Sequence, residues 1–253
     1  MWIIIGVLAG FVLAPAATLL IARPPLLDGR ESLALPFRCR KCKQAIRPTD
    51  AVPVLSFGLC HGRCRSCREP IPRWVLFAEL ASIGASGLVG WRIGAIAHQP
   101  AALPAFVLFA LTLVVVVVID AQIHRIPTKV VYPAAVLSAV LLLAAGAVRG
   151  EMDRSVRALS AGLAASAFIW ILVFVMPSGM GQGDARLCLV LGQFLGWWGW
   201  RQVYLGLTGG FFLGAIGGVL LMLRRRGGLK TQIAFGPYLA AAAFAVALWP
   251  DLA

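Results

Sequence analysis

Residues 110–120 read ALTLVVVVVID, an almost unbroken apolar run that ends in the carboxylate of Asp120. A helix needs roughly 20 apolar residues to cross a hydrocarbon core of about 30 Å, and the apolar stretch that ends here begins near residue 102, which approaches that length. An ionised carboxylate at the edge of such a core is costly unless it is paired or hydrated, so it usually marks a site. A second acid of this kind, Asp184, lies in MGQGDARL between two further apolar stretches. Two such acids suggest a catalytic pair.

The composition indicates a membrane protein, because 60% of the residues are hydrophobic and only 13% are charged. We predict an all-α polytopic membrane protein with about eight transmembrane helices. The expected spans lie near residues 2–21, 74–95, 102–119, 130–148, 156–176, 187–200, 203–223 and 233–250. The first run lacks a basic segment before it and is interpreted as a signal anchor. Three parts follow: a first transmembrane helix (1–21), a cytoplasmic loop (22–73) and a transmembrane core (74–253).

The distribution of positive charge predicts the orientation. The segment between Pro24 and Arg73 contains ten Lys or Arg residues and only four acids. A second basic block follows the seventh span. The positive-inside rule places both segments in the cytoplasm, and the loops beside Asp120 and Asp184 then fall on the same side. The net charge of +13 is attributed to basic loops that stay in the cytoplasm and to their contact with the lipid bilayer. No nucleic-acid partner is expected.

The loop of residues 22–73 contains five of the six cysteines. It has too few large apolar side chains to fold unaided. Two Cys-x2-Cys pairs separated by 21 residues have close to the spacing of a site in which four thiolates surround a structural zinc ion. Disulfides are the alternative, disfavoured in a reducing compartment. Cys60 and His61 are rival ligands. The expected ligands are Cys39, Cys42, Cys64 and Cys67.

Two neighbouring carboxylates cannot both ionise cheaply, so one of them keeps its proton. Such a pair suits hydrolysis, in which one carboxylate accepts a proton from water and the other carboxyl donates one. Glycines precede Asp184, and Gly181 and Gly183 would let a substrate backbone approach closely. Ion or proton transport through the two acids is the competing interpretation.

Several motifs together resemble the type IV prepilin peptidases, which belong to the GxGD intramembrane aspartyl proteases. IDAQIHRIPT (119–128) is similar to their first motif, GQGDARL (181–187) to their second, and FGPYLA (235–240) to a third. The loop sequences ESLALPFRCRKC and PVLSFGLCHGRCRSCREPIPRWVLFAEL also follow the family pattern, including Glu79. The resemblance covers residues 30 to 240.

The resemblance implies that Asp120 and Asp184 are the catalytic pair and that the four cysteines bind zinc. It implies cleavage of prepilin or pseudopilin leaders after a glycine at the cytoplasmic face of the inner membrane. Members with the cysteine loop also methylate the new N-terminus with S-adenosylmethionine. The expected substrate-binding residues are Gly181, Gly183, Phe235, Gly236 and Pro237.

The chain departs from the family pattern at three positions, Gln122, Thr128 and Arg186. The first span, GFVLAPAATLLIARPP (10–25), matches the family's N-terminal motif only loosely, so a peptidase without methyltransferase activity is an alternative. A transporter and a noncatalytic scaffold are alternatives of other classes. Glu79 is expected to have a functional or packing role rather than to reach towards solvent. Trp197, Trp198 and Trp200 are expected to form an interfacial belt. The sequence leaves the oligomeric state open.

Overall fold

The computed structural model describes residues 1–22, 42, 63, 66–68, 70, 73–176, 181–223 and 235–250. Within these ranges the regular secondary structure is helical, apart from an isolated antiparallel bridge between Arg63 and Pro70. A π-helical segment (Gly90–Ile96) and a 3-10 turn (Pro100–Ala102) connect the second and third helices. The α-helices of the described ranges are α1 (Trp2–Ala22), α2 (Arg73–Val89), α3 (Leu103–Ile123), α4 (Thr128–Arg149), α5 (Met152–Val175), α6 (Gln182–Trp198), α7 (Trp200–Leu223) and α8 (Gly236–Leu248).

The expectation of an all-α membrane protein is confirmed, but eight membrane spans are not. Five segments of the described chain are long and apolar enough to cross a bilayer. They are Trp74–Ile96, Pro100–Ile123, Thr128–Arg149, Met152–Val175 and Trp200–Leu220. Two more apolar helices, Trp2–Thr18 and Gly236–Leu248, are shorter. The sixth predicted span corresponds to α6, which has 17 residues. The three-part division stays a prediction, since most of the predicted loop is outside the described residues.

Helices α5 and α6 form the most extensive helix pair in the described bundle, and small residues allow their close approach. A methyl group added at Gly192 of α6 would lie 2.7 Å from the carbonyl oxygen of Ala161 in α5. At Gly196 it would meet the Ala161 side chain. The backbones of the two helices are therefore in contact, and this contact fixes the position of α6.

A buried polar contact joins α6 to α4. The Ser138 hydroxyl and the Gln193 side-chain oxygen form a hydrogen bond, and Gln193 Nε2 donates to the Ala135 carbonyl at 3.3 Å. Both polar side chains are buried. A buried amide that lacked such partners would be costly in hydrocarbon, so the contact specifies how these two helices are paired.

The aromatic residues show one correction to the sequence analysis. Trp197 is fully buried and Trp198 packs against the core, so only Trp200 among the three is exposed. The phenylalanine rings of Phe109 and Phe194 stack at 4.3 Å in the same core. The predicted interfacial belt is therefore wrong for Trp197. Its indole lies on the inward face of a helix that packs on several neighbours.

The helix ends fall into two groups at opposite ends of the bundle. At one end, Arg157 of α5 donates hydrogen bonds to the carbonyls of Gly196 and Trp197, which close the last turn of α6. Nearby in sequence, a hydrogen bond from Arg149 lowers the pKa of Glu151 in the α4–α5 loop. The other end gathers the end of α3 and the starts of α4, α6 and α8. It carries both aspartates.

Candidate active site

Asp120 lies in the last turn of α3 and is 4% exposed. Its Oδ2 accepts a hydrogen bond of 3.1 Å from the backbone N–H of Gly236, the first residue of α8. This N–H has no partner within its own helix, because the first N–H groups of any helix lack one. The start of α8 thus supplies the donor that a buried carboxyl needs.

The chain reverses immediately after Asp120. Helix α3 ends at His124, which has a left-handed backbone (φ 53°) and donates its N–H to the Asp120 carbonyl at 2.8 Å. His124 and Arg125 are exposed, whereas Ile126 and Pro127 are buried. Helix α4 then begins at Thr128. This short connection therefore directs the side chain of Ile126 into the space beside the carboxyl.

Asp184 lies in the first turn of α6, and this corrects the expectation that it belongs to the loop before the helix. Its Oδ2 accepts a hydrogen bond of 3.2 Å from the Gly181 N–H, and its own N–H donates to the Gly181 carbonyl at 3.1 Å. This reciprocal contact starts the helix five residues earlier than the apolar pattern predicts. The N-terminal end of a helix also favours a carboxylate electrostatically.

Ile126 connects the two aspartate segments. A methyl group added at Gly183 would lie 2.9 Å from Ile126 Cβ, and one added at Gly236 would lie 3.4 Å from Ile126 Cδ1. The residue before Asp184 and the donor to Asp120 thus contact the same side chain. Both carboxyls are buried. The structure therefore brings Asp120 and Asp184 together at one end of the bundle.

The FGPYLA motif contacts Asp120 through its backbone. The Phe235 ring packs on Gly214 of α7 and lies 5.4 Å from the Phe211 ring, centre to centre. Pro237 occupies the first turn of α8, where its missing N–H costs nothing. These contacts hold Gly236 against Asp120. Gly181 is exposed beside Asp184.

Two positions that depart from the family pattern contact each other. Arg186 Nη1 donates a hydrogen bond of 2.7 Å to the Thr128 hydroxyl. The third such residue, Gln122, is exposed at the end of α3. Nothing in the sequence pairs Arg186 with Thr128, because the two residues are 58 positions apart.

Of the expected zinc ligands, Cys39 and Cys64 lie outside the described residues, as do Cys60 and His61. Cys42 is exposed and Cys67 is half-buried. Cys67 follows Ser66 in a turn, and the bridge between Arg63 and Pro70 closes this turn. Among the described residues no group of three or more His, Cys, Asp or Glu side chains is placed to hold a metal ion. The zinc site stays a prediction.

Glu79 is fully buried in α2, which excludes the interpretation that it reaches towards solvent. Sequence reasoning missed the buried Gln193 and Ser138. The signal that could have found them is a polar residue within an apolar run, since such a residue must find a partner inside the bundle.

Two family profiles match the chain. The bacterial peptidase A24 N-terminal domain matches residues 8–93, and the type IV leader peptidase family matches residues 107–222. The second match covers Asp120 and Asp184. No solved structure shows a significant match.

Several relatives are named prepilin leader peptidase/N-methyltransferase. The protein of that name from Pseudomonas aeruginosa is 31% identical over 214 residues, which cover 84% of this chain and 71% of the relative. The one from Pseudomonas putida is 32% identical, covering 88% of this chain and 75% of the relative. The one from Burkholderia pseudomallei is 32% identical, covering 85% of this chain and 68% of the relative.

The apolar helices of the described chain define a polytopic helical membrane protein. The profiles and relatives show that the chain belongs to the type IV leader peptidase family. It is an enzyme, a peptidase.

Gly236→Ala should lower peptidase turnover by roughly 100-fold, the scale of a misplacement of about 1 Å at a reacting group. The added methyl group would lie 2.6 Å from Asp120 Oδ2, so the carboxyl or the start of α8 must move. Gly209→Ala is the matched control, because its methyl group would lie 3.5 Å from Ala242 Cβ, an ordinary contact. Turnover and thermal unfolding would be measured for both. Full activity in Gly236→Ala would contradict the assigned contact.

Proposed function

We propose that the protein cleaves the leader peptide of type IV prepilins or pseudopilins with Asp120 and Asp184. The observation that carries the proposal is the convergence of two buried carboxyls, from separate helices, around Ile126. Support for the substrate class comes from the names of the relatives. A transporter would be expected to place its acids near the middle of the membrane, whereas these acids lie at helix ends.

In the proposed reaction the two carboxyls share one proton. The ionised member takes a proton from a water molecule as that water attacks the scissile carbonyl. The protonated member donates a hydrogen bond to the carbonyl oxygen, and a proton then passes to the leaving amine. The N–H groups of Gly236 and Gly181 each engage one carboxyl oxygen, Oδ2. The second oxygen of each carboxyl is the one assigned to water or substrate.

The aspartate end of the bundle is assigned to the cytoplasmic face of the inner membrane. The support is the excess of Lys and Arg in the predicted loop and in the basic block after the seventh span. A prepilin would then present a polar leader in the cytoplasm and an apolar helix in the bilayer. A glycine before the scissile bond would let the extended backbone reach the carboxyls between Gly181, Gly183 and the Phe235–Pro237 segment.

We propose that the new N-terminal amine is then methylated. S-adenosylmethionine would supply the methyl group. The support is the name shared by the relatives, which includes N-methyltransferase, and the match of the N-terminal profile to residues 8–93. No described residue is assigned to this second reaction.

The cysteine loop is proposed to be held by one structural zinc ion, bound by Cys39, Cys42, Cys64 and Cys67. The described residues fit this role, since Cys67 lies in a turn closed by the Arg63–Pro70 bridge and thiolates are preferred zinc ligands. The ion would supply folding free energy that the few apolar side chains of the loop cannot supply.

Asp120→Asn and Asp184→Asn should each abolish leader cleavage, because an amide can neither accept the proton of water nor donate an acidic one. Purified protein would be mixed with a prepilin, and the mass of the prepilin would be measured. Asp153→Asn is the matched control, an exposed acid in the first turn of α5, and should cleave normally.

With added S-adenosylmethionine, the cleaved product should gain the mass of one methyl group. Cleavage without this gain would identify a peptidase that lacks the second activity. Normal cleavage by either Asp→Asn variant would overturn the catalytic assignment.

Cys42→Ser should release about one zinc ion per chain and unfold the loop, because the site would lose one of four thiolates. Metal analysis and limited proteolysis would be compared with Cys188→Ala, which changes a buried cysteine of α6 and should keep the metal. Cys60→Ser should be milder than Cys64→Ser. Purified protein that contains no zinc would refute the proposed site.

A further inference from the structure

We propose that the contact between Arg186 and Thr128 is a clasp that positions Asp184 relative to Asp120. The inference rests on the proposed function and adds two positioning residues to it. Neither residue is assigned to touch substrate. The clasp, defined as Arg186 and Thr128, joins the first two turns of α6 to the first residue of α4.

Arg186 contacts side chains of α4, of α5 and of its own helix, α6. Nη1 donates to the Thr128 hydroxyl at 2.7 Å, and Nη2 lies 3.4 Å from the Gln182 side-chain oxygen in its own helix. The guanidinium carbon lies 5.9 Å from the centre of the Trp170 ring in α5. The planar guanidinium can make these contacts at the same time, whereas a lysine ammonium offers one compact charge.

The location of the clasp explains why it should affect the aspartates. Thr128 follows Ile126 by two residues. Ile126 contacts Gly183, which precedes Asp184, and Gly236, which binds Asp120. Arg186 follows Asp184 by two residues in the same helix. A shift of α6 relative to the start of α4 would therefore change the separation of the two carboxyls.

The clasp is also the second point at which the connection of residues 124–128 is attached to α6. The connection of residues 124–128 packs on α6 through Ile126 and Gly183, and it is tied to α6 through Thr128 and Arg186. The packing contact alone would leave the connection free to shift along the start of α6, whose position is fixed by its contact with α5. The hydrogen bond removes that freedom, and this is the role we assign to the polar pair.

The first test uses a double-mutant cycle on prepilin cleavage with Thr128→Val, Arg186→Met and the double variant. Each single variant should lower kcat by roughly 10- to 100-fold with little change in KM, because the geometry of the reacting groups changes and substrate contacts do not. The double variant should be no worse than the poorer single one, since both remove the same contact. Arg186→Lys should recover part of the loss.

Thr208→Val and Arg201→Met are the matched controls. Thr208 bonds only to carbonyls of its own helix among the described contacts, and Arg201 is an exposed arginine of α7. Both controls should keep the wild-type kcat. Additive losses in the double variant, or full activity in Thr128→Val, would overturn the clasp.

The second test does not depend on activity. Trypsin should cut after the exposed Arg125 several-fold faster in Thr128→Val and Arg186→Met than in wild type, because the connection opens more often and releases the buried Ile126. Unchanged cutting in both variants would overturn the clasp. A wild-type protein that cleaves no prepilin would refute the proposed function, and the trypsin rates would still decide whether the clasp exists.

Discussion

Burial of two carboxyls at one end of an apolar helical bundle is the constraint on which the aspartate end depends. Each carboxyl must find a hydrogen-bond donor, because an unsatisfied polar group there costs several kcal/mol. The donors are the backbone N–H groups of Gly236 and Gly181, which lie at or just before helix starts and have no partner within the helix. The start of α8 must therefore lie against the end of α3, whereas Asp184 finds its donor at the start of its own helix. Ile126 joins the two aspartate segments.

Glycines and close helix contacts transmit this requirement to the rest of the bundle. Gly236 can contact Asp120 only without a side chain, and Phe235 can hold it there only because Gly214 leaves room for the ring. On the other side, α6 is fixed by its contact with α5 at Gly192. The positions of the two acids are thus determined by packing far along the helices, not by the loops alone.

The sequence was sufficient to predict the helices, because apolar runs of membrane length have few alternative structures. It also identified Asp120 and Asp184 as a pair, although their catalytic role stays a prediction. Apolar periodicity could not locate the start of α6, which the Gly181–Asp184 hydrogen bonds determine, nor the burial of Trp197, which depends on neighbouring helices. The Arg186–Thr128 contact joins residues 58 apart and has no local signal.

The most direct test of the shared site is a disulfide between the two aspartate segments. In the double variant Ile126→Cys with Gly183→Cys, the β-carbon added at residue 183 would lie 2.9 Å from that of residue 126. The two segments need to part by only roughly 1 Å to reach the β-carbon separation of a disulfide, about 3.5–4.5 Å. Mild oxidation in native membranes should link residues 126 and 183, as read by peptide mass. The pair Val148→Cys with Gly183→Cys should not link, because Val148 lies at the far end of α4, about 30 Å along the helix from Thr128. Failure of the first pair to link in correctly inserted protein would contradict the account.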